Sequence, residues 1–106
     1  EIAPRVHNSG HWTIEGSECS QFENHLRAVA GLPLGSTASV GHSAMLNFIG
    51  SVPETAKVLA IADCHLHDYA KEFKAGRKVG HATLRSNSVQ QLQQQIAKLE
   101  ALIEQQ

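Results

Sequence analysis

The stretch Cys64-His65-Leu66-His67-Asp68-Tyr69 decides the fold class. Its residues alternate: His65, His67 and Tyr69 fall on one side of an extended chain, and Cys64, Leu66 and Asp68 on the other. That period belongs to a strand. Lys71 to Gly76 then reads as a turn and Lys78 to Leu84 as a second strand, so the two are expected to form a hairpin. Upstream, the apolar run Ala44 to Ile49 ends at Gly50, and its length favours a further strand. In between, Pro53 is expected in the first turn of a helix over Glu54 to Ile61, with Glu54 early where an acid suits the helix dipole. Downstream, Val89, Leu92, Ile96, Leu99 and Ile103 line one face of a helix from Val89 to Glu104, and Ser88 with Gln91 forms a capping box. The stripe lasts barely two heptads, which suits packing on a sheet better than a coiled coil. The opposite face is mostly glutamine and is expected to be solvated.

On the N-terminal side, Ser20 and Glu23 make a capping box for a helix whose Phe22, Leu26 and Val29 share a face. Gly31 and Pro33 stop it. Leu34 to Val40 is rich in small residues and reads as a connection between two folding units. Glu1 to Glu18 has little periodicity and is dense in polar side chains, as loops at binding sites often are.

Bulk properties remove several function classes. The 106 residues are 42% hydrophobic and 18% charged, which suits a globular chain rather than a disordered one. The net charge of −1 offers no electrostatic footprint for nucleic acid. No run approaches the roughly 20 apolar residues of a membrane span. Cys19 and Cys64 are far apart, so neither a disulfide framework nor a cysteine zinc site is expected, and free thiols suit the cytoplasm. The start at Glu1 rather than at a methionine is expected to mark an interior cut in a longer protein.

Two clusters could carry chemistry. The first, Glu1 to Thr13, places a carboxylate, a guanidinium, two imidazoles, an amide and a hydroxyl in one loop. Arg5 offers a planar fork of donors for an oxyanion. His7 and His11 can donate to it or shuttle a proton, and Asn8 and Ser9 add neutral donors. A plain turn with Arg5 on the surface is the alternative. The second cluster, Lys71 to His81, carries Lys71, Lys74, Arg77 and Lys78 around Gly76. It could cradle a phosphate, although such charge runs are more often solvated turns. His65 and His67 could share a metal, but no third ligand at suitable spacing is evident.

Several runs in these clusters carry a resemblance. They are Glu1-Ile2-Ala3-Pro4-Arg5-Val6-His7-Asn8-Ser9-Gly10-His11-Trp12-Thr13, then Ser20-Gln21-Phe22-Glu23-Asn24-His25-Leu26-Arg27-Ala28, and Gly31-Leu32-Pro33-Leu34-Gly35. His65 to Lys71 and Gly76 to His81 follow in the same order. The chain closely resembles the N5-carboxyaminoimidazole ribonucleotide synthase family, also known as the ATPase subunit of phosphoribosylaminoimidazole carboxylase. That resemblance implies an α+β fold: the tail of an ATP-grasp domain over residues 1–34, then a small C-terminal domain over residues 35–106. The latter would be antiparallel strands with packed helices, similar to a rudiment single hybrid motif. It implies a cytoplasmic purine-biosynthesis ligase that uses ATP and magnesium to join bicarbonate to 5-aminoimidazole ribonucleotide. Glu1 would hold the magnesium. Arg5 and His7 would act on bicarbonate or carboxyphosphate, with Asn8 and Ser9 binding beside them. Lys71, together with Arg77 and Lys78, would grip the ribonucleotide phosphate and approach the reacting amine. The nucleotide-binding lobe is missing from the chain, so it is expected to be inactive alone and to hold no cofactor tightly. Full-length members are expected to be homodimers, and self-association of this chain through newly exposed apolar surface near Trp12 and Phe22 is expected. Competing readings are another ATP-grasp enzyme, of the glycinamide ribonucleotide transformylase or biotin carboxylase type, and a stand-alone metal-binding or scaffold module.

Overall fold

A computed structural model describes residues 2–106. Its centre is a three-stranded antiparallel sheet of β1 (His42–Ile49), β2 (Cys64–Asp68) and β3 (Lys78–Ser86), in the order β1-β3-β2. The hairpin of β2 and β3 is present as expected, and β1 pairs along the other edge of β3, beginning at His42 rather than Ala44. β3 is therefore the middle strand and is covered on both faces, which buries Val79 to Leu84 without a break.

The register sorts the two faces. Ala44, Leu46 and Phe48 of β1 share one face with Ala82 and Leu84 of β3 and with Cys64 and Leu66 of β2. Two helices close that face: α3 (Thr55–Leu59) lies against β2, and α4 (Val89–Glu104) against β3 and β1. The core formed there is Phe48, Val58, Ile61, Cys64, Val79, Ala82, Leu84, Leu92 and Leu99. Burying each large apolar side chain contributes roughly 1.5–3 kcal/mol, and this face therefore supplies most of the folding drive. Val79 joins it because a register shift between Phe48 and Ile49 sets Phe48 opposite Gly80 and Ile49 opposite Lys78, which leaves Val79 without a partner on β1.

α4 spans the expected residues and packs on the sheet. Ser88 caps it by accepting from the Gln91 N–H, but the reciprocal bond to the Ser88 N–H comes from Ser86 Oγ, because Gln91 turns its own carbonyl to the Ser86 hydroxyl. One glutamine departs from the solvated face: Gln95 lies a turn between Leu92 and Leu99 and is buried with them. α3 is shorter than expected. Glu54 keeps an extended ψ of 122° as its cap, which leaves Pro53 outside the helix.

The N-terminal third covers the other face of the sheet. It comprises a 3₁₀ turn (Asn8–Gly10), a one-turn helix α1 (Thr13–Gly16) and α2 (Gln21–Val29). Ser20 Oγ accepts from the Glu23 N–H at 3.1 Å. At the other end Gly31, with φ +72°, lets the Leu32 N–H reach Arg27 O and its own N–H reach Ala28 O. That pair of bonds is a Schellman stop, and a residue with a Cβ would be strained there. The connection Leu34 to Val40 folds back, with Ala38 O accepting from Glu18 N–H and Val40 N–H donating to Gly16 O. The apolar face of α2 is left uncovered by this chain: Leu26 is 68% exposed and Val29 75%.

Candidate functional site

The loop before α1 is shaped by one side chain, Gln21, the first residue of α2. Its Oε1 accepts from the His7 N–H at 3.1 Å, and its Nε2 donates to His7 O at 2.7 Å and to His11 Nδ1 at 2.8 Å. The three bonds admit a single orientation of the amide, since the peptide N–H needs an acceptor and the peptide C=O a donor. Gly10 makes room for it: a Cβ there would stand 2.4 Å from Gln21 Oε1. Thr13 Oγ1 ties the same turn, donating to Gly10 O at 2.5 Å and accepting from Gln21 N–H at 3.0 Å.

The His7 ring is held from behind. Its Nδ1 accepts from the Ser9 N–H at 3.2 Å and lies 2.9 Å from Ser9 Oγ. An Nδ1 that accepts places the proton of a neutral imidazole on Nε2, so His7 presents an N–H outward. Arg5 is exposed, with one guanidinium N–H on Val6 O at 3.2 Å. Asn8 is half-buried and Ser9 exposed. Of these four residues, His7 and Ser9 are in direct contact, and Arg5 and Asn8 share the loop as sequence neighbours. Glu1 lies outside the described residues.

Below this loop the polar face of the sheet presents Ser43, Met45 and Asn47 from β1, His81, Thr83 and Arg85 from β3, and His65 and His67 from β2. Glu15 of α1 drops onto it: its carboxylate meets His67 Nε2 at 2.9 Å, and its backbone carbonyl accepts from Arg85 at 3.0 Å. His67 stacks on His81 with centroids 4.5 Å apart and planes 20° from parallel. His81 is almost wholly buried and bonds through Nδ1 to the Tyr69 hydroxyl at 2.7 Å. The His11 ring stands 5.6 Å from His81. Burial pushes His81 down to about 4, helped by the charges of His67 and His11. Burial also lowers His11, and His67, His7 and Lys78 add to that in turn. Both rings are therefore neutral near pH 7.

The second cluster is solvent-facing. Lys71, Lys74, Arg77 and Lys78 are exposed, and the ion pairs among the described residues, Arg27–Glu23, Lys57–Glu54 and His67–Glu15, use none of them. Lys71 Nζ lies 5.6 Å from the Tyr69 ring centre, a cation–π distance. The turn is fixed through backbone: Arg77 N–H donates to Lys74 O, and Gly50 N–H to Arg77 O.

Residues 43–95 match the family model "Phosphoribosylaminoimidazole carboxylase C-terminal domain", and residues 1–22 match the ATP-grasp domain. The chain belongs to the phosphoribosylaminoimidazole carboxylase C-terminal domain family. A Pseudomonas aeruginosa N5-carboxyaminoimidazole ribonucleotide synthase is 78% identical over 98% of this chain, and an Escherichia coli one 50% over 97%. The crystal structure of the Thermus thermophilus synthetase superposes with a TM-score of 0.93 at 62% identity, over 96% of this chain. The Aspergillus clavatus synthase in complex with ADP and 5-aminoimidazole ribonucleotide superposes at 0.85 and 38% identity over 94%. The chain spans under a third of these proteins, 29% of the Pseudomonas one and 28% of the Thermus one.

Reading the sequence assigned no role to Gln21, Glu15, Tyr69 or His81. The strand pair His65 and His67 does not form a shared ligand set: His65 is exposed, and His67 turns to Glu15 and His81. Ligand atoms of Glu15, His67 and His81 do lie within 4.8 Å of one another. The near-parallel stack opposes a common ion, because an ion in the plane of one ring lies off the plane of the other. Among the described residues, no helix is long and apolar enough to cross a membrane. An open hollow of about 610 Å³ is bordered by Ser9 and Trp12 of the loop and by His42, Met45 and Val89.

Proposed function

We propose that this chain is the C-terminal part of an ATP-grasp ligase that carboxylates the exocyclic amine of 5-aminoimidazole ribonucleotide with bicarbonate. The observation that carries the reading is an exposed Arg5–His7 loop and an exposed basic turn from Lys71 to Lys78 in a chain 78% identical, over 98% of its length, to a Pseudomonas aeruginosa N5-carboxyaminoimidazole ribonucleotide synthase. A relative at 38% identity over nearly the whole chain, in complex with ADP and the same ribonucleotide, supports it.

The chemistry has two steps. A bicarbonate oxygen takes the γ-phosphoryl group of ATP, giving carboxyphosphate and ADP. The amine nitrogen then attacks the carboxyl carbon, phosphate leaves with the C–O bonding pair, and the nitrogen loses a proton. Magnesium, when bound, supplies charge neutralisation between the phosphates. A hard cation takes carboxylate oxygen, which suits Glu1, while Glu15, the acid nearest the described loop, is committed to His67.

This chain's own groups act on the anion and the acceptor. Arg5 holds carboxyl or phosphoryl oxygens with its free fork. His7 donates Nε2–H to the same anion, as its Nδ1 bonds require. Asn8 and Ser9 fill the remaining acceptor positions. Lys71, Arg77 and Lys78 grip the ribonucleotide phosphate, and Lys71, which lies over the Tyr69 ring, approaches the amine.

The test uses the full-length Pseudomonas aeruginosa relative with this chain in place of the matching segment. Lys71→Ala and Arg77→Ala should each raise KM for 5-aminoimidazole ribonucleotide about 10- to 100-fold, the value of one charged hydrogen bond, and leave KM for ATP unchanged. Unchanged KM for the ribonucleotide in both would sink the assignment of the hairpin.

A further inference from the structure

We propose that Gln21 is the positioning residue of the anion loop, holding the His7 peptide group and the His11 ring in one arrangement so that His7 Nε2 faces the activated one-carbon anion. The proposal rests on the function assigned above. It goes beyond it by placing a determinant of bicarbonate handling on a helix residue that needs no contact with the substrate.

Three features single Gln21 out. It binds the backbone N–H and C=O of one residue, His7, 14 residues away in sequence, as a neighbouring strand would. Its second amide hydrogen goes to His11 Nδ1 at 2.8 Å, so one planar group sets the spacing between His7 and His11. It is anchored at the start of α2, where its own N–H is held by Thr13 Oγ1 at 3.0 Å. The backbone of His7 is therefore fixed to a regular element rather than to a mobile loop, and Ser9 fixes the ring. Positioning of this kind matters because a displacement of about 1 Å in a reacting geometry can cost about 10²-fold in rate.

Gln21→Glu isolates the claim. A carboxylate can still accept from His7 N–H, but its second oxygen would face His7 O and would offer no hydrogen to His11. In the same full-length chimera, Gln21→Glu should lower kcat/KM for bicarbonate about 10²-fold, while KM for ATP and for the ribonucleotide stay within about twofold. The decisive arm is a double-mutant cycle. With His7 already replaced by alanine, Gln21→Glu should cost little more, because the group it positions is gone. Gln21→Met, of similar length and uncharged, repeats the cycle should the added charge unfold the loop, and melting temperatures report which variants are folded. A loss that adds in full to that of His7→Ala overturns the positioning role. So does an unchanged Gln21→Glu enzyme in which His7→Ala is impaired. If His7→Ala itself keeps the full rate, the reading of the site falls and the role of Gln21 falls with it.

Discussion

The phenol of Tyr69 and the imidazole of His81 are joined by a 2.7 Å hydrogen bond at the edge where β2 leaves the sheet, and the ring of Tyr69 carries Lys71 on its outer face. A buried histidine thus sets an exposed lysine through one aromatic ring. Ala70, at φ +57° between them, is held by Asp68 Oδ1 at 2.8 Å, so the chain is guided on both sides of the bend. Tyr69→Phe keeps the ring and removes the hydroxyl. It leaves His81 Nδ1 buried without that partner and should cost about 1–3 kcal/mol of stability. Urea unfolding of the 106-residue chain measures this, and a change below about 0.5 kcal/mol would deny the bond any weight.

Acid should weaken the fold through His81. An unfolded chain carries this histidine at about 6.5, and burial holds it at about 4 in the folded state. Between those values the unfolded chain binds more protons. The contribution is therefore complete above pH 6.5 and is lost as pH falls toward 4. It amounts to at most about 3 kcal/mol. The groups facing His81 are His67, His11 and Tyr69. Unfolding free energies measured between pH 7 and pH 4 should fall less steeply in His81→Gln, and an identical slope would contradict the assignment.

Neither thiol should be reactive in the folded chain. Cys64 packs in the core and burial pushes it up to about 11, while Cys19 is also buried and is raised. The thiolate is the reactive form, so a disulfide reagent should label both only as fast as the chain opens. Rapid labelling of Cys64 in native buffer would contradict its placement under Val58 and Ile61.

Leu84, wholly buried in the middle strand, tests the apolar face. Leu84→Ala should destabilise by about 2–5 kcal/mol, whereas Leu26→Ala on the uncovered face of α2 should change the stability of this chain by less than about 0.5 kcal/mol. Equal losses at the two positions would contradict the division of the faces.

Much of this architecture could be read from residue patterns. α4 was legible because its stripe is regular and Ser88 marks its start. β2 was legible from the alternation of His65, His67 and Tyr69, and α2 from Ser20, Glu23 and Gly31. The pairing of His67 with His81 was not, because the nine residues 69–77 that join the strands are too long for a turn type to set the register. The Glu15–His67 bond crosses 52 residues and has no local signal. Gln21 looked like an ordinary first-turn residue, and only the folded loop shows its amide filling the space over Gly10. Arg5, His7, Asn8 and Ser9 came together because they are sequence neighbours, so their grouping needed no tertiary information.

The central claim is that Arg5 and His7 hold the activated one-carbon anion. Fixation of labelled bicarbonate into 5-aminoimidazole ribonucleotide, measured in the full-length chimera with Arg5 and His7 both replaced by alanine, tests it most directly. The account predicts a fall of about 10³-fold or more with the melting temperature preserved, since two oxyanion donors are removed at once. Fixation at the unsubstituted rate would contradict it.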